Sequence, residues 1–338
     1  MSDRALRRNA FLQRVGWSDA KVLKLAGDAS ARRYFRLTKR DGAQAILMDA
    51  PTADGQTVAP FVAVAKLLRG FGLNPPQIYE ADRQNGFLLL EDFGDALFAD
   101  VIRQDPASEL ALYSAAVDVL VDLAQKAPPS DLPVFTPALM GEMIEPVFDW
   151  YCMGVTGDVQ DAAPLQTMLT DALESIPFQS LSLRDYHAEN LIWLPERRGT
   201  KSVGLLDFQD AMIGPVGYDL VSLLQDARRD VGQETKIAMI ERFCIALGLN
   251  RDDFAYSYAV VGLQRNLRIL GIFARLAMKL DRPRYLDFIP RVWRYVEASL
   301  LHPELGSIAD RVYADIPRPT PQRIERLRTL CGHQNSRS

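Results

Sequence analysis

Three side chains in two short polar segments have the types and spacing for chemistry. Asp185 and Asn190 lie in L-S-L-R-D-Y-H-A-E-N-L-I-W-L, residues 181–194, and Asp207 lies in V-G-L-L-D-F-Q-D-A, residues 203–211. One carboxylate able to orient or deprotonate a hydroxyl, with a second carboxylate and an amide oxygen able to hold divalent cations, is the equipment of phosphoryl transfer. Asp185 is the candidate base, and Asn190 and Asp207 are the candidate Mg²⁺ ligands. Residues 191–194 and 203–206 read as two apolar strands joined by the polar turn 195–202, a hairpin that carries both loops to one end. Asp and Asn also favour turns and helix caps, so either loop alone says little; the two in this order say more. Asp185, His187, Glu189 and Asp207 would also suit a hydrolytic metal site, but no second histidine stands nearby.

The spacing sharpens the reading. Asp185 precedes Asn190 by five positions, as in the kinase loop R-D-x-x-x-x-N, and Asp207 is followed by Phe208, as in D-F-G, with Gln209 in place of the glycine.

Composition sets the surroundings. The chain has 338 residues, 48% hydrophobic and 24% charged, ordinary for a soluble globular protein with one large or two medium domains. A net charge of -4 argues against a general nucleic-acid binder. Cys152, Cys244 and Cys331 lack metal-type spacing and suit reduced thiols. The N-terminus has no apolar leader core and no window approaches a membrane span, so a cytoplasmic protein without a membrane partner is expected.

The elements that must position the site fall into two regions. Residues 4–16 have the pattern of an amphipathic helix, followed by strand-like segments at 20–25, 34–38 and 43–49, a helix at 58–68, an extended 77–81 and an apolar strand within 86–95. Helical spacing then dominates, at 109–127, 141–153, 164–175, 220–230, 236–247, 254–280 and 285–301. The expected division is a nucleotide-binding lobe at 1–94, a catalytic and substrate-binding lobe at 95–330, and a polar tail at 331–338. The fold class is α+β, an antiparallel sheet lobe followed by a larger helical lobe.

The turn A-G-D-A-S-A-R-R-Y, residues 26–34, is built from small residues between two strands. Gly27, Asp28, Ala29 and Ser30 would let backbone N–H groups approach phosphates, although such turns also merely join strands. Arg32 and Arg33 close the loop and could contact phosphate, with solvated surface charge as the competing reading. Kinase logic asks for a lysine on the next strand, paired with a helix glutamate. The strand carries Met48 and Asp49 instead, and residues 58–68 contain no acid. The joint loss is self-consistent, since a lone buried charge is costly. Arg32 or Arg33 could substitute electrostatically; an inactive, degenerate kinase is the other explanation.

With Asp185, His187 and Asn190 in the form D-x-H-x-x-N, the chain resembles the aminoglycoside phosphotransferase and choline kinase superfamily, which has a protein-kinase-like two-lobe fold. The resemblance implies ATP bound beneath the loop at 27–33, adenine on the backbone near Glu91 to Phe93, and two Mg²⁺ ions on Asn190 and Asp207. His187 and Asp219 match positions that support the catalytic loop there, Asp219 being also readable as a helix cap. More narrowly, G-D-A-S-A-R-R-Y-F-R, I-L-M-D-A-P, L-L-L-E-D-F-G-D, D-F-Q-D-A-x-x-G-P-x-x-Y-D-L-V-S-L-L and Q-R-N-L-R-I-L-G-I-F-A-R-L look like the bacterial anomeric kinases of N-acetylmuramate and N-acetylglucosamine, enzymes of peptidoglycan recycling. A small-molecule acceptor is therefore expected. Another alcohol of the aminoglycoside, choline or homoserine type, or a pseudokinase that binds nucleotide without turnover, stays open.

Residues 260–300 hold eight Lys or Arg against three acids. Arg265, Arg268, Ile272 and Arg275 recur at helical spacing and share a face that would attract an anionic sugar and repel a cationic aminoglycoside. Arg265 or Arg268 is the candidate reader of a substrate carboxylate, against the reading of a solvated or ion-paired face.

Overall fold

The structure, a computed structural model, describes residues 3–25, 32–51 and 57–332. In chain order its helices and strands begin with α1 (Asp3–Arg14), β1 (Lys21–Lys24), β2 (Arg33–Thr38), β3 (Gln44–Asp49), α2 (Ala59–Gly70), β4 (Ile78–Asp82), β5 (Phe87–Leu90), α3 (Phe98–Gln104) and α4 (Glu109–Ala124). They continue with α5 (Pro137–Glu142), α6 (Met153–Thr156), α7 (Ala163–Glu174), β6 (Ser180–Ser182), β7 (Leu191–Trp193), β8 (Val203–Leu205), β9 (Met212–Gly214), α8 (Tyr218–Leu224), α9 (Gln233–Leu247), α10 (Arg251–Leu280), α11 (Ile289–Leu300), α12 (Gly306–Asp315) and α13 (Pro321–Thr329). The phosphate-loop residues Gly27, Asp28, Ala29 and Ser30 and most of the polar tail lie outside the described residues. Among those described, no helix is long and apolar enough to cross a membrane.

The chain divides into two compact units, Met1–Val119 with Ala188–Ala211, and Leu120–His187 with Met212–Ser338. The first holds a five-stranded antiparallel sheet of order β1-β2-β3-β5-β4. Alternation along β2 turns Phe35 and Leu37 inward with Ala45, Leu47, Phe87 and Leu89, and Phe11 and Leu12 of α1 close this core. Phe11 stacks on Phe87 at 5.6 Å between centroids. Arg4 at the start of α1 donates to Asp49, a nearly buried carboxylate, through Nε at 2.8 Å.

The β7–β8 hairpin belongs to this first unit for a physical reason. Trp193 N donates to Ala96 O at 2.8 Å, Ala99 N to Ala188 O at 3.1 Å, and Leu205 N to Asn74 O at 3.0 Å. Phe93, Ile192 and Leu194 form a small core with Leu97 and Leu206. Gly204 permits it: a Cβ there would lie 2.8 Å from the Phe93 ring. The sequence division near residue 94 follows the change from strand to helix, whereas these contacts carry the unit on through α3 and into α4.

The second unit is helical. Its core gathers around α10, 30 residues long and capped by Asn250, whose side chain accepts from Asp252 N and Asp253 N at 2.9 and 3.1 Å. Gly271 brings α10 against the backbone at Pro146 and Val147, where a Cβ would lie 2.2 Å from the Pro146 carbonyl carbon. The pattern expected to give one helix over 141–153 is instead α5, a π-helical turn at Val147–Cys152, and α6. The helix expected over 220–230 stops at Leu224, and the Asp226 carboxylate accepts from Arg228 N at 2.9 Å, forming a turn. Strands β6 and β9 pair antiparallel, Leu181 opposite Ile213.

Candidate active site

Asp185 follows a backbone bent against its preference. Arg184 has φ 73°, a left-handed conformation that costs a non-glycine residue roughly 1 kcal/mol or more. Asp219 holds it there: its two carboxylate oxygens accept from Leu183 N at 2.5 Å and Arg184 N at 2.9 Å. The carboxylate thus braces the loop rather than capping α8. Ser222 Oγ, one turn along α8, donates to Arg184 O at 3.2 Å and accepts from Arg265 Nη2 at 2.6 Å. Gripped at both its N–H and its carbonyl, Arg184 fixes the direction in which Asp185 leaves the turn. Burial pushes the Asp219 carboxyl up to about 7, against the pull of the two amides.

His187 is buried, and burial followed by the charges of Arg228 and Arg265 holds its pKa well below the usual imidazole range. The neutral ring accepts from Arg228 Nη1 at Nε2, 3.2 Å away, which places its proton on Nδ1. The Nε2 lone pair is thus taken up by a guanidinium.

In the first unit, Asn190 and Asp207 flank the open end of the β7–β8 hairpin. Leu191 pairs with Leu205, and Leu206 N donates to Asn190 O at 3.0 Å, so the two candidate ligands stand side by side. Asp207 has φ 53°, tolerated by Asp better than by most residues. Gln209, in the position of the D-F-G glycine, donates through Nε2 to Asp207 Oδ1 at 2.9 Å and Asp210 Oδ2 at 3.2 Å. Phe208 packs on Phe61 of α2, centroids 4.8 Å apart, anchoring the loop. Arg32 Nη1 lies 3.9 Å from Asp207 Oδ1. Burial, then the Asp207 charge, pushes the neighbouring Tyr34 hydroxyl up to about 12, while Arg32 pulls it down.

Among the described residues no group of three or more His, Cys, Asp or Glu could hold a metal. Asn190 and Asp207 still fit Mg²⁺, which uses one or two carboxylates and completes its shell with water and phosphate oxygens. They do not suit zinc, which takes at least three protein ligands, mostly Cys and His.

The remaining expected residues separate by role. Glu91 N donates to Gln77 O at 2.8 Å and its carboxylate accepts from Arg197 at 2.6 Å, so that residue is committed within the unit. Phe93 is nearly buried against Gly204 and Ile192. Arg33 opens β2 opposite Asp49. Arg265 turns inward to Ser222, whereas Arg268 lines an open cleft of about 340 Å³ with Arg275, Glu142 and Glu145. Ser222, Gln209 and Arg228 escaped the sequence reading because their partners lie far away in the chain or, for Gln209, because the position was taken only as a departure.

Residues 21–258 match the model of the phosphotransferase enzyme family. The chain belongs to that family. This phosphotransferase is 34% identical over 346 residues to the N-acetylmuramate/N-acetylglucosamine kinase of Caulobacter vibrioides, covering 91% of this chain and 95% of that protein. A protein of the same description from Pseudomonas aeruginosa is 33% identical over 319 residues, covering 90% and 91%. Its fold is similar to that of a choline kinase from Streptococcus pneumoniae, with TM-score 0.62, 11% identity, and coverage of 87% of this chain and 99% of that one. A choline/ethanolamine kinase family protein from Mesorhizobium loti gives TM-score 0.61 at 14% identity, covering 97% and 99%. The α+β class expected from the pattern of elements, in the protein-kinase-like form that the resemblance implies, is thus the class of this chain's structural neighbours.

Proposed function

We propose that this phosphotransferase moves the γ-phosphoryl group of ATP to the anomeric hydroxyl of N-acetylmuramate and N-acetylglucosamine. The observation that carries the reading is similarity at 32–34% identity, over 80–91% of this chain, to four kinases named for those sugars. The residues supply a chemistry in agreement.

Asp185 accepts the hydroxyl proton as the anomeric oxygen attacks phosphorus and the bond to the β,γ-bridging oxygen breaks. The Asp219 brace and the neutral His187 keep Asp185 in one orientation. Mg²⁺ bound by Asn190 and Asp207 would neutralise phosphate charge. Arg32, beside Asp207, takes the electrostatic role of the missing strand lysine, with Arg33 and the loop of Gly27, Asp28, Ala29 and Ser30 over the phosphates. Adenine would meet the backbone near Glu91 and Phe93; the Glu91 N–H already serves Gln77, which leaves that contact to the residues after it. The three free thiols and the use of ATP favour the cytoplasm, with a small molecule as partner.

The test is ³¹P NMR of the purified protein with ATP, Mg²⁺ and a panel of alcohols. A sugar 1-phosphate signal is expected with both N-acetylated sugars, and Asp185→Asn is expected to remove turnover while nucleotide still binds. Phosphorylation of choline, homoserine or an aminoglycoside alone refutes the sugar assignment. Tight ATP binding with no acceptor phosphorylated refutes the kinase.

A further inference from the structure

The second unit carries an ionic arrangement that the reaction above does not use. On α10, Arg268, Ile272 and Arg275 stand at helical spacing along the cleft of about 340 Å³, with Glu142, Met143 and Glu145 opposite. Its size is at the lower end of ligand pockets, suited to a monosaccharide. The wall is close because Gly271 lets α10 meet the backbone of Pro146 and Val147 without an intervening side chain.

Arg268 is the informative residue. It is half-buried, and among the described residues it makes no hydrogen bond or ion pair. Burial, assisted by the charges of Arg184 and Arg265, lowers its pKa, while Tyr218 and Asp185 act the other way, so its head lies within electrostatic reach of the candidate base. A guanidinium at a cleft with no hydrogen bond of its own has donors to offer, and a carboxylate matches its planar fork of donors. Arg265, three residues away, is occupied by Ser222 and acts as a positioning residue for the loop.

We propose that this cleft is the acceptor's carboxylate subsite, in which Arg268, backed by Arg275, binds the carboxylate of an acidic amino sugar. Glu142 and Glu145 accept from hydroxyl and amide protons on the rest of the ring and repel a second negative charge. The proposal rests on the kinase reading above, which supplies the class of acceptor and not the residues that choose between its members.

The test compares N-acetylmuramate with N-acetylglucosamine, which lacks the lactyl carboxylate, by calorimetric binding and by kcat/KM. The wild type is expected to prefer the acidic sugar. Arg268→Gln is expected to reduce that preference by about tenfold to a hundredfold, the range a charge-assisted hydrogen bond supplies, and Arg268→Lys to retain part of it. Arg275→Glu, at an exposed position, is expected to reduce the preference also, and decides the matter if circular dichroism shows Arg268→Gln to be unfolded. Equal binding of the two sugars by the wild type, or a preference unchanged in the folded variant, overturns the subsite. Both sugars phosphorylated with no dependence on Arg268 removes the subsite and leaves the kinase. Binding that depends on Arg268 without phosphorylation supports the subsite and removes the kinase.

Discussion

Replacing Gly271 by alanine sets two effects of opposite sign against each other. Helix propensity favours alanine by about 1 kcal/mol in the interior of a helix such as α10. Packing opposes it: the new Cβ would lie 2.2 Å from the Pro146 carbonyl carbon, 2.3 Å from Val147 N and 2.4 Å from Pro146 O. These are backbone atoms, with no rotamer by which to yield, and ordinary contact begins near 3.4 Å. The helix must therefore retreat by about 1 Å, loosening its packing over Val147, Phe148 and Tyr151, all buried. Overpacking of this kind costs about 1–3 kcal/mol and occasionally more, and a clash with backbone belongs at the upper end. A net loss of about 2 kcal/mol is expected, measured as a lower urea midpoint at unchanged m-value. Gly70→Ala, at the last residue of α2 where a Cβ meets nothing within 4 Å, is the matched control and should gain up to about 1 kcal/mol. A Gly271→Ala protein as stable as the wild type would show that propensity wins and that the close approach does not support the cleft wall.

Two further outcomes are expected. Asp219 has a carboxyl raised from 3.8 to about 7, so its contribution to stability is full below about pH 4 and is lost as pH rises through 7. At about 1.4 kcal/mol per pH unit this amounts to at most about 4–5 kcal/mol. Denaturation at pH 4.5 and pH 8 should show the wild type losing stability relative to Asp219→Asn, and parallel behaviour of the two proteins would refute the raised pKa. Arg32→Ala should weaken ATP and ADP binding about tenfold or more while leaving adenosine binding nearly intact, since a charge-assisted contact to phosphate is lost. An equal loss for adenosine in calorimetry would place Arg32 elsewhere than at the phosphates.

The parts of this protein that sequence conveys well are those governed by local period. The alternation in β2 and β3, the apolar arms of the β7–β8 hairpin and the long repeat of α10 each follow from spacing within one element. Strands β6 and β9 have three residues each, too few to show a period, and pair only because their backbones meet in the fold. The apolar run of α8 ends at Leu224, and beyond it the Asp226 side chain captures the Arg228 N–H in a turn. Long-range polar pairs leave no trace in local spacing: Arg4 with Asp49, Arg265 with Ser222, and Asp219 with the amides at 183 and 184, the last expected only from the resemblance. Three residues apart on one helix, Arg265 and Arg268 are indistinguishable by period, and only packing sends one inward and leaves the other at a cleft.

Loss of the strand lysine bears on whether the phosphate site has decayed. Tyr34 sits directly opposite Met48 in the β2–β3 register, and Arg32 precedes Tyr34 by two residues, in step with the alternation that sets one sheet face. A cation absent from β3 is thus present one strand over, and its carboxylate partner is Asp207 instead of an acid on α2. Asp49, next to the altered position, is matched by Arg4. Decay by drift would remove one member of an ion pair and strand the other, at a cost of about 3–5 kcal/mol for a buried charge. Here Asp49 is matched by Arg4 and Arg32 by Asp207, and Gln209 donates to the Asp207 carboxylate. Such an arrangement is what selection for continued phosphate binding would leave, and it favours an active phosphotransferase over a silent one.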